Sequence, residues 1–149
     1  HTHIREYIGD ILYTIFSMTE KHVHVENTVE ELHMPTKVAV TIGLLVNEIA
    51  TNALKYGFLE DENPTFTVAL YKDSERSCRE NRTPYLLSLS NTGPPFPDEV
   101  DIDRSDTLGL QLISSLVQQL GGTWDVDKGP NPEYTIRFGV DDDTWDEEG

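Results

Sequence analysis

The residue pattern predicts an α+β fold, a two-layer sandwich in which a mixed sheet of about five strands is covered on one face by three helices. Two observations lead there. Three stretches repeat apolar residues at helical spacing, and the alternating, strand-like stretches between them come in pairs. A strict strand–helix alternation would build a parallel dinucleotide-type sheet, whereas paired strands favour an antiparallel or mixed sheet with its helices on one side. A third observation sets the scale: 149 residues with 37% hydrophobic content suit one folded unit with a single core.

Along the chain, Ile4, Ile8, Ile11, Leu12 and Ile15 recur at helical spacing and predict a first helix over residues 4–18. The segment HVHVENTVEEL alternates and predicts a short pair of strands. Pro35 and Thr36 supply a start signal, with Thr able to cap, for a long helix over residues 36–57 that ends at Gly57. Phe66, Val68 and Leu70 alternate in a strand over 65–71, and the polar run up to Thr83 reads as a hairpin loop before a strand over 85–90. A sharp turn follows at Asn91-Thr92-Gly93-Pro94-Pro95. Residues 98–106 form an acidic, apolar-poor connection to a third helix over 107–120, closed by Gly121 and Gly122, and strands over 123–127 and 134–140 end the fold.

The net charge of −16 excludes several partner classes. So acidic a surface repels nucleic-acid phosphates and anionic lipid, so no nucleic acid and no membrane contact by this domain are expected. Six acids fall in the last nine residues, and 141–149 are expected to form a disordered acidic tail beyond a domain over 4–140. The single Cys78 rules out a disulfide framework and fits a cytoplasmic location. The longest apolar stretch, Val38 to Val46, is too short to span a bilayer.

Three features carry chemistry. On the long helix Glu48, Asn52 and Lys55 are spaced i, i+4, i+7 and fall within about 60° of one another, along the rim of the buried face. Asn52 offers a neutral oxygen to Mg2+, Lys55 a cation to phosphate and Glu48 a base or water-orienting group. The same stripe also suits a plain solvated helix face. In the turn after the 85–90 strand, Gly93 lets backbone approach a ligand, and Asn91 presents an acceptor and a donor that can read a base edge. At the third helix, Thr107-Leu108-Gly109-Leu110 open a helix whose free N–H groups favour an anion, with Gly109 allowing close approach.

In this order the three features resemble the boxes of the GHKL ATPase and kinase superfamily. NEIATNALKY from Asn47 to Tyr56 resembles the N-box, SNTGPPFP from Ser90 to Pro97 the G1 box, and TLGLQLISSLVQQLGG from Thr107 to Gly122 the G2 box. The wording is similar to the catalytic domains of HWE-related sensor histidine kinases, over residues 4–140. The resemblance implies the Bergerat fold and Mg-ATP binding, with Asn52 as Mg2+ ligand, Asn47 or Glu48 as a polar helper, Lys55 on phosphate and Tyr56 beside the nucleotide. It implies Asn91 in place of the usual adenine-reading aspartate, Gly93 and Phe96 lining the base pocket, Thr107 to Leu110 at the phosphates, and 98–106 as the ATP lid. The chain departs from the family at Asn91, at Pro95, at a missing first G2 glycine, and at Asn131-Pro132 where a glycine-threonine pair is usual.

The implied activity is transfer of the ATP γ-phosphoryl group to a histidine on a dimerisation domain outside this chain, with a response regulator downstream. His1, His3, His22, His24 and His33 lie in strand, loop or end contexts unlike that acceptor, so the isolated chain is expected to be inactive. Two alternatives share the fold: an anti-sigma-factor-type serine kinase, and a catalytically degenerate nucleotide-binding interaction module.

Overall fold

The computed structural model describes residues 1–58, 63–76, 81–95 and 108–142. Strand β1 (Thr2–His3) leads into helix α1 (Ile4–Phe16), followed by β2 (His24–Asn27), β3 (His33–Met34) and helix α2 (Thr36–Asn52). Strands β4 (Thr65–Lys72) and β5 (Arg82–Asn91), helix α3 (Leu108–Gln119), and strands β6 (Thr123–Asp127) and β7 (Glu133–Asp141) complete the order. The main sheet runs β2-β4-β5-β7-β6, with β2 parallel to β4 and every other pair antiparallel. It is the expected mixed five-stranded sheet with three helices.

One expected pairing differs. The alternating segment after α1, residues 22–32, supplies one strand and not a pair: β2 joins the main sheet at its edge, while β3, just beyond the segment, pairs with β1 in a separate two-stranded ribbon. Alternation marks a strand without naming its partner, and the hydrogen-bonding edge of β4 takes β2. The ribbon pins the start of α1, where Ile4 N–H donates to Leu32 O at 2.9 Å.

Burial alternates along the sheet as a half-covered sheet requires. Phe66, Val68 and Leu70 of β4, Tyr85, Leu87 and Leu89 of β5, and Tyr134, Ile136, Phe138 and Val140 of β7 face inward. Ile4, Ile8, Leu12 and Phe16 of α1 pack on them, together with Ile42, Leu45, Val46 and Ile49 of α2 and Ile113, Leu116 and Val117 of α3. These residues form one continuous core. Close contact between α1 and α2 depends on Gly43, since a Cβ there would lie 2.7 Å from the Tyr7 ring.

Helix ends follow the chemistry only in part. Thr36 does not cap α2. Pro35 occupies the cap position without a side-chain bond, and the Thr36 hydroxyl sits 3.2 Å from that of Thr2. The α3 terminus matches expectation: Gly121 has φ +68, and Gly122 N–H reaches back to Val117 O at 3.1 Å. At its other end α2 continues as a π turn over Ala53–Gly57, closed by Phe58 N–H to Ala53 O at 3.0 Å. The 20 residues from Thr36 to Lys55 are long and apolar enough to pass for a membrane span, which the sequence reading did not count because it stopped at Val46. Half of that window is buried inside the domain, as befits the central helix of the layer. β7 continues through Asp141, and Asp142 N–H bonds Asn81 O at 2.7 Å; residues 143–149 of the expected tail lie outside the described residues.

Candidate nucleotide site

Glu48 and Asn52 lie one turn apart on α2, each half-buried, and face the opening of α3. Gly109 is what lets them. A Cβ at that position would stand 2.6 Å from Glu48 Oε1 and 3.6 Å from Asn52 Oδ1, so only a residue without a side chain leaves the carboxylate its place. Two elements separated by more than fifty residues of chain thus meet around a carboxylate oxygen and an amide oxygen. Hard oxygen donors of this kind suit Mg2+. The donor set therefore fits the metal that the sequence reading implied.

Beneath the pair lies a residue the sequence reading did not single out. Tyr134 on β7 is buried and stacks on Trp124 with ring centroids 6.4 Å apart, and its hydroxyl lies near the Asn52 side chain. Burial, then the Glu48 charge, push its phenol up to about 12, against a lowering by the nearby Asn52 amide. A sequence signal for it existed: Tyr134 is in phase with Ile136, Phe138 and Val140, so a hydroxyl sits on the inward face of the closing strand.

Lys55 is exposed and belongs to the π turn, where the helical spacing used to align it with Glu48 and Asn52 no longer applies. Asn47 faces elsewhere: with Thr51, Tyr7, Asp10 and Ile11 it lines a groove of about 890 Å3 between α1 and α2. Tyr56 and Leu108 are placed by their backbone only, at the π turn and the start of α3, and Leu110 is buried in the core just inside α3. Phe96, Thr107 and the segment 98–106 lie outside the described residues.

The turn after β5 is organised by backbone. Asn91 continues the inward phase of Tyr85, Leu87 and Leu89 and is 6% exposed, a polar side chain at a core-facing position. Its Nδ2 donates to Thr92 O at 2.9 Å, which leaves the amide oxygen as the acceptor it offers. Gly93 adopts φ 141, and Asn131 locks it from both sides: Gly93 N–H donates to Asn131 Oδ1 at 3.1 Å and Asn131 N–H to Gly93 O at 2.9 Å. Asn131 holds φ 59, a conformation asparagine tolerates better than most residues. Pro132 O accepts from Asn91 N–H at 3.2 Å. The Asn131-Pro132 departure is therefore what holds the turn.

The two regions are neighbours through the sheet. Leu89 pairs with Tyr134, and Asn91 lies two residues further along β5 on the same face, about 7 Å away at the rise of a strand. Asn91 and the Glu48–Asn52 pair thus occupy the same side of the sheet at adjacent positions.

Comparison with known proteins agrees with this architecture. Over 107 residues the chain is 28% identical to Blue-light-activated histidine kinase 2 of Erythrobacter litoralis, an alignment covering 72% of this chain and 29% of that protein. Among solved structures, the histidine kinase domain of an Erythrobacter litoralis blue-light activated histidine kinase matches with a TM-score of 0.72 at 23% identity, over 91% of this chain and 60% of that one. The catalytic domain of histidine kinase ThkA, in a nucleotide-free form, matches with a TM-score of 0.64 at 15% identity, over 92% and 93% of the two chains. No family model matches the chain.

The fold is that of histidine kinase catalytic domains. In sequence and in fold the chain resembles the GHKL-type catalytic domain of an HWE-related sensor histidine kinase, and it spans under a third of the curated relative it matches.

Proposed function

We propose that this chain is the ATP-binding catalytic domain of a two-component sensor histidine kinase. It binds Mg-ATP between α2, the Gly93 turn and the start of α3, and presents the γ-phosphoryl group to a histidine on a dimerisation domain elsewhere in the parent protein. The observation that carries this reading is the meeting of Glu48, Asn52 and Gly109, because a metal–phosphate site needs oxygen donors beside a helix start that a phosphate can approach.

Each group has a task in this reading. Asn52 holds the metal through its amide oxygen, and Glu48 orients the acceptor or its water. Bound Mg2+ would neutralise charge on the phosphates. Free N–H groups at the start of α3 face the phosphates. Lys55 supplies a cation from the edge, Asn91 takes the adenine amino N–H on its amide oxygen, and Gly93 keeps the base pocket open. Such catalysis is positioning and electrostatics, so it needs the acceptor histidine within reach of the γ-phosphate. The chain alone then shows no autophosphorylation, and the parent kinase works in the cytoplasm on a response regulator.

Calorimetry with Mg-ATP at millimolar concentration tests the binding. A saturable heat with a dissociation constant between about 1 µM and 1 mM is expected, accompanied by thermal stabilisation that grows with ligand. No heat and no thermal shift would overturn the proposal.

A further inference from the structure

A neutral amide can read either kind of purine: its oxygen accepts from the 6-amino group of adenine, and its nitrogen donates to the 6-oxo group of hypoxanthine or guanine. Which purine Asn91 selects depends on how its amide is turned. Here Nδ2 donates to Thr92 O at 2.9 Å. Turned over, the amide would set Oδ1 against that carbonyl oxygen, two acceptors with no proton between them. The orientation of Asn91 is therefore only as firm as the direction of the Thr92 carbonyl.

That carbonyl belongs to the peptide unit joining Thr92 to Gly93. Gly93 has φ 141, a conformation that glycine enters without steric cost and is equally free to leave. The unit is planar and trans, so its N–H and its C=O point in opposite directions and turn together. Asn131 Oδ1 accepts from the Gly93 N–H at 3.1 Å, at the far end of the same plane. Main-chain bonds hold the flanks: Thr92 N–H donates to Thr65 O at 3.0 Å, and Asn131 N–H to Gly93 O at 2.9 Å. We propose that Asn131 is a positioning residue for base selectivity. By holding the Gly93 N–H it fixes the Thr92 carbonyl, which keeps the Asn91 amide with Oδ1 toward the base, so the site takes a 6-amino purine and rejects a 6-oxo purine. The inference rests on the nucleotide reading of the site and adds to it the residue that sets the base preference. Asn131 acts through the peptide plane and not by touching the base.

Calorimetry in the presence of Mg2+ measures the binding of ADP and of inosine diphosphate, IDP, to three forms of the full chain: natural, Asn131→Gly and Asn131→Asp. Hypoxanthine carries a 6-oxo group and no 2-amino group, so the comparison confines the change to the edge that Asn91 reads. The natural chain binds ADP about tenfold more tightly than IDP, the cost of setting an acceptor against an acceptor. Glycine keeps the left-handed backbone and removes the acceptor of the Gly93 N–H, so the preference falls below about threefold. Aspartate also tolerates that backbone and restores an acceptor oxygen, so the preference stays within about twofold of the natural one. A merely structural role would weaken both nucleotides and leave their ratio alone.

An undiminished preference in Asn131→Gly overturns the inference, as does a preference in Asn131→Asp as low as that of Asn131→Gly. If Asn131→Gly does not fold, the other two forms decide: a preference for ADP kept in both upholds the inference, and one lost in either overturns it. A natural chain that binds ADP and IDP equally overturns the inference and leaves the nucleotide reading standing, whereas one that binds neither overturns that reading with it.

Discussion

The two ends of the site are built on opposite principles. At the proposed metal end, the Glu48 and Asn52 side chains of α2 meet the start of α3 near the buried Tyr134 of β7, and the geometry depends on a missing Cβ at Gly109. At the turn after β5, backbone groups do most of the work: two main-chain hydrogen bonds, Asn131 N–H to Gly93 O and Asn91 N–H to Pro132 O, are joined by one from Gly93 N–H to the Asn131 side chain. Side-chain sites are broken by one atom; backbone sites bend. Substitutions at the metal end should therefore lose function out of proportion to stability, while those at the turn should lose both together.

The largest effect is expected from Asn52→Ala. It removes the proposed metal ligand, and Mg2+-dependent nucleotide affinity falls about 100-fold, or about 3 kcal/mol, as read by calorimetry with and without Mg2+. Asn52 is half-buried on the rim of the helix, so the stability read in a urea titration falls by less than about 1 kcal/mol.

Alkaline pH separates the two ends without a ligand. The phenol of Tyr134 is raised from 10.0 to about 12, so the folded state keeps it neutral while the unfolded chain ionises. Its contribution is fully present below pH 10 and is lost as pH rises through about 12. The decline amounts to about 2 to 3 kcal/mol at about 1.4 kcal/mol per unit. Denaturant titrations across this range should show a shallower decline in Tyr134→Phe. Tyr85, also raised by burial and then by Asp142 and Glu30, accounts for part of what remains. Asn91 and Asn131 do not titrate, so the turn adds nothing.

Asn131→Ala tests the backbone end. It removes the acceptor of Gly93 N–H and places alanine at φ 59, for a combined stability loss of about 1 to 2 kcal/mol. Asn131→Gly relieves the backbone cost and keeps only the loss of the bond, so its melting point should fall between the two. Equal melting points for Ala and Gly would show that the left-handed conformation costs nothing here.

The smallest effect is expected from Asn91→Asp. A carboxylate accepts the adenine amino N–H more strongly than an amide does and repels the guanine carbonyl, so the preference for ATP over GTP rises by about 1 kcal/mol, roughly fivefold. Aspartate cannot donate to Thr92 O as Asn91 does, so some stability is lost in return. Measured ATP and GTP dissociation constants decide it, and an unchanged or lowered preference removes Asn91 from base reading.

Much of the fold was legible because its elements carry one clear period each. Ile4 to Ile15 and Phe66 to Leu70 declare helix and strand, and Gly121 declares a helix end. What stayed hidden was pairing across distance. Nothing in HVHVENTVEEL says that β2 seeks β4, nor in the His33-Met34 that follows that β3 seeks β1, because a strand's pattern records its faces and not its neighbours. The site shows the same limit. Glu48 with Asn52 is a helical spacing and could be read, whereas Tyr134 enters through the sheet and Asn131 through a turn 38 residues from its partner Gly93. Spacing alone does not align Lys55 with Glu48 and Asn52, since a 100° step per residue holds only while the helix remains α-helical.

That π turn bears on how this chain is compared with its relatives. A loop closed from Phe58 N–H to Ala53 O contains one residue more than a helical turn closed at i−4, so in the terms of alignment it is an insertion lodged inside a helix. A relative whose corresponding helix stays α-helical to its end needs a one-residue gap between Asn52 and Phe58 to keep both in register. An ungapped alignment there would equate Lys55 with a residue on a different side of the helix, so homology at that position has to be assigned by superposition.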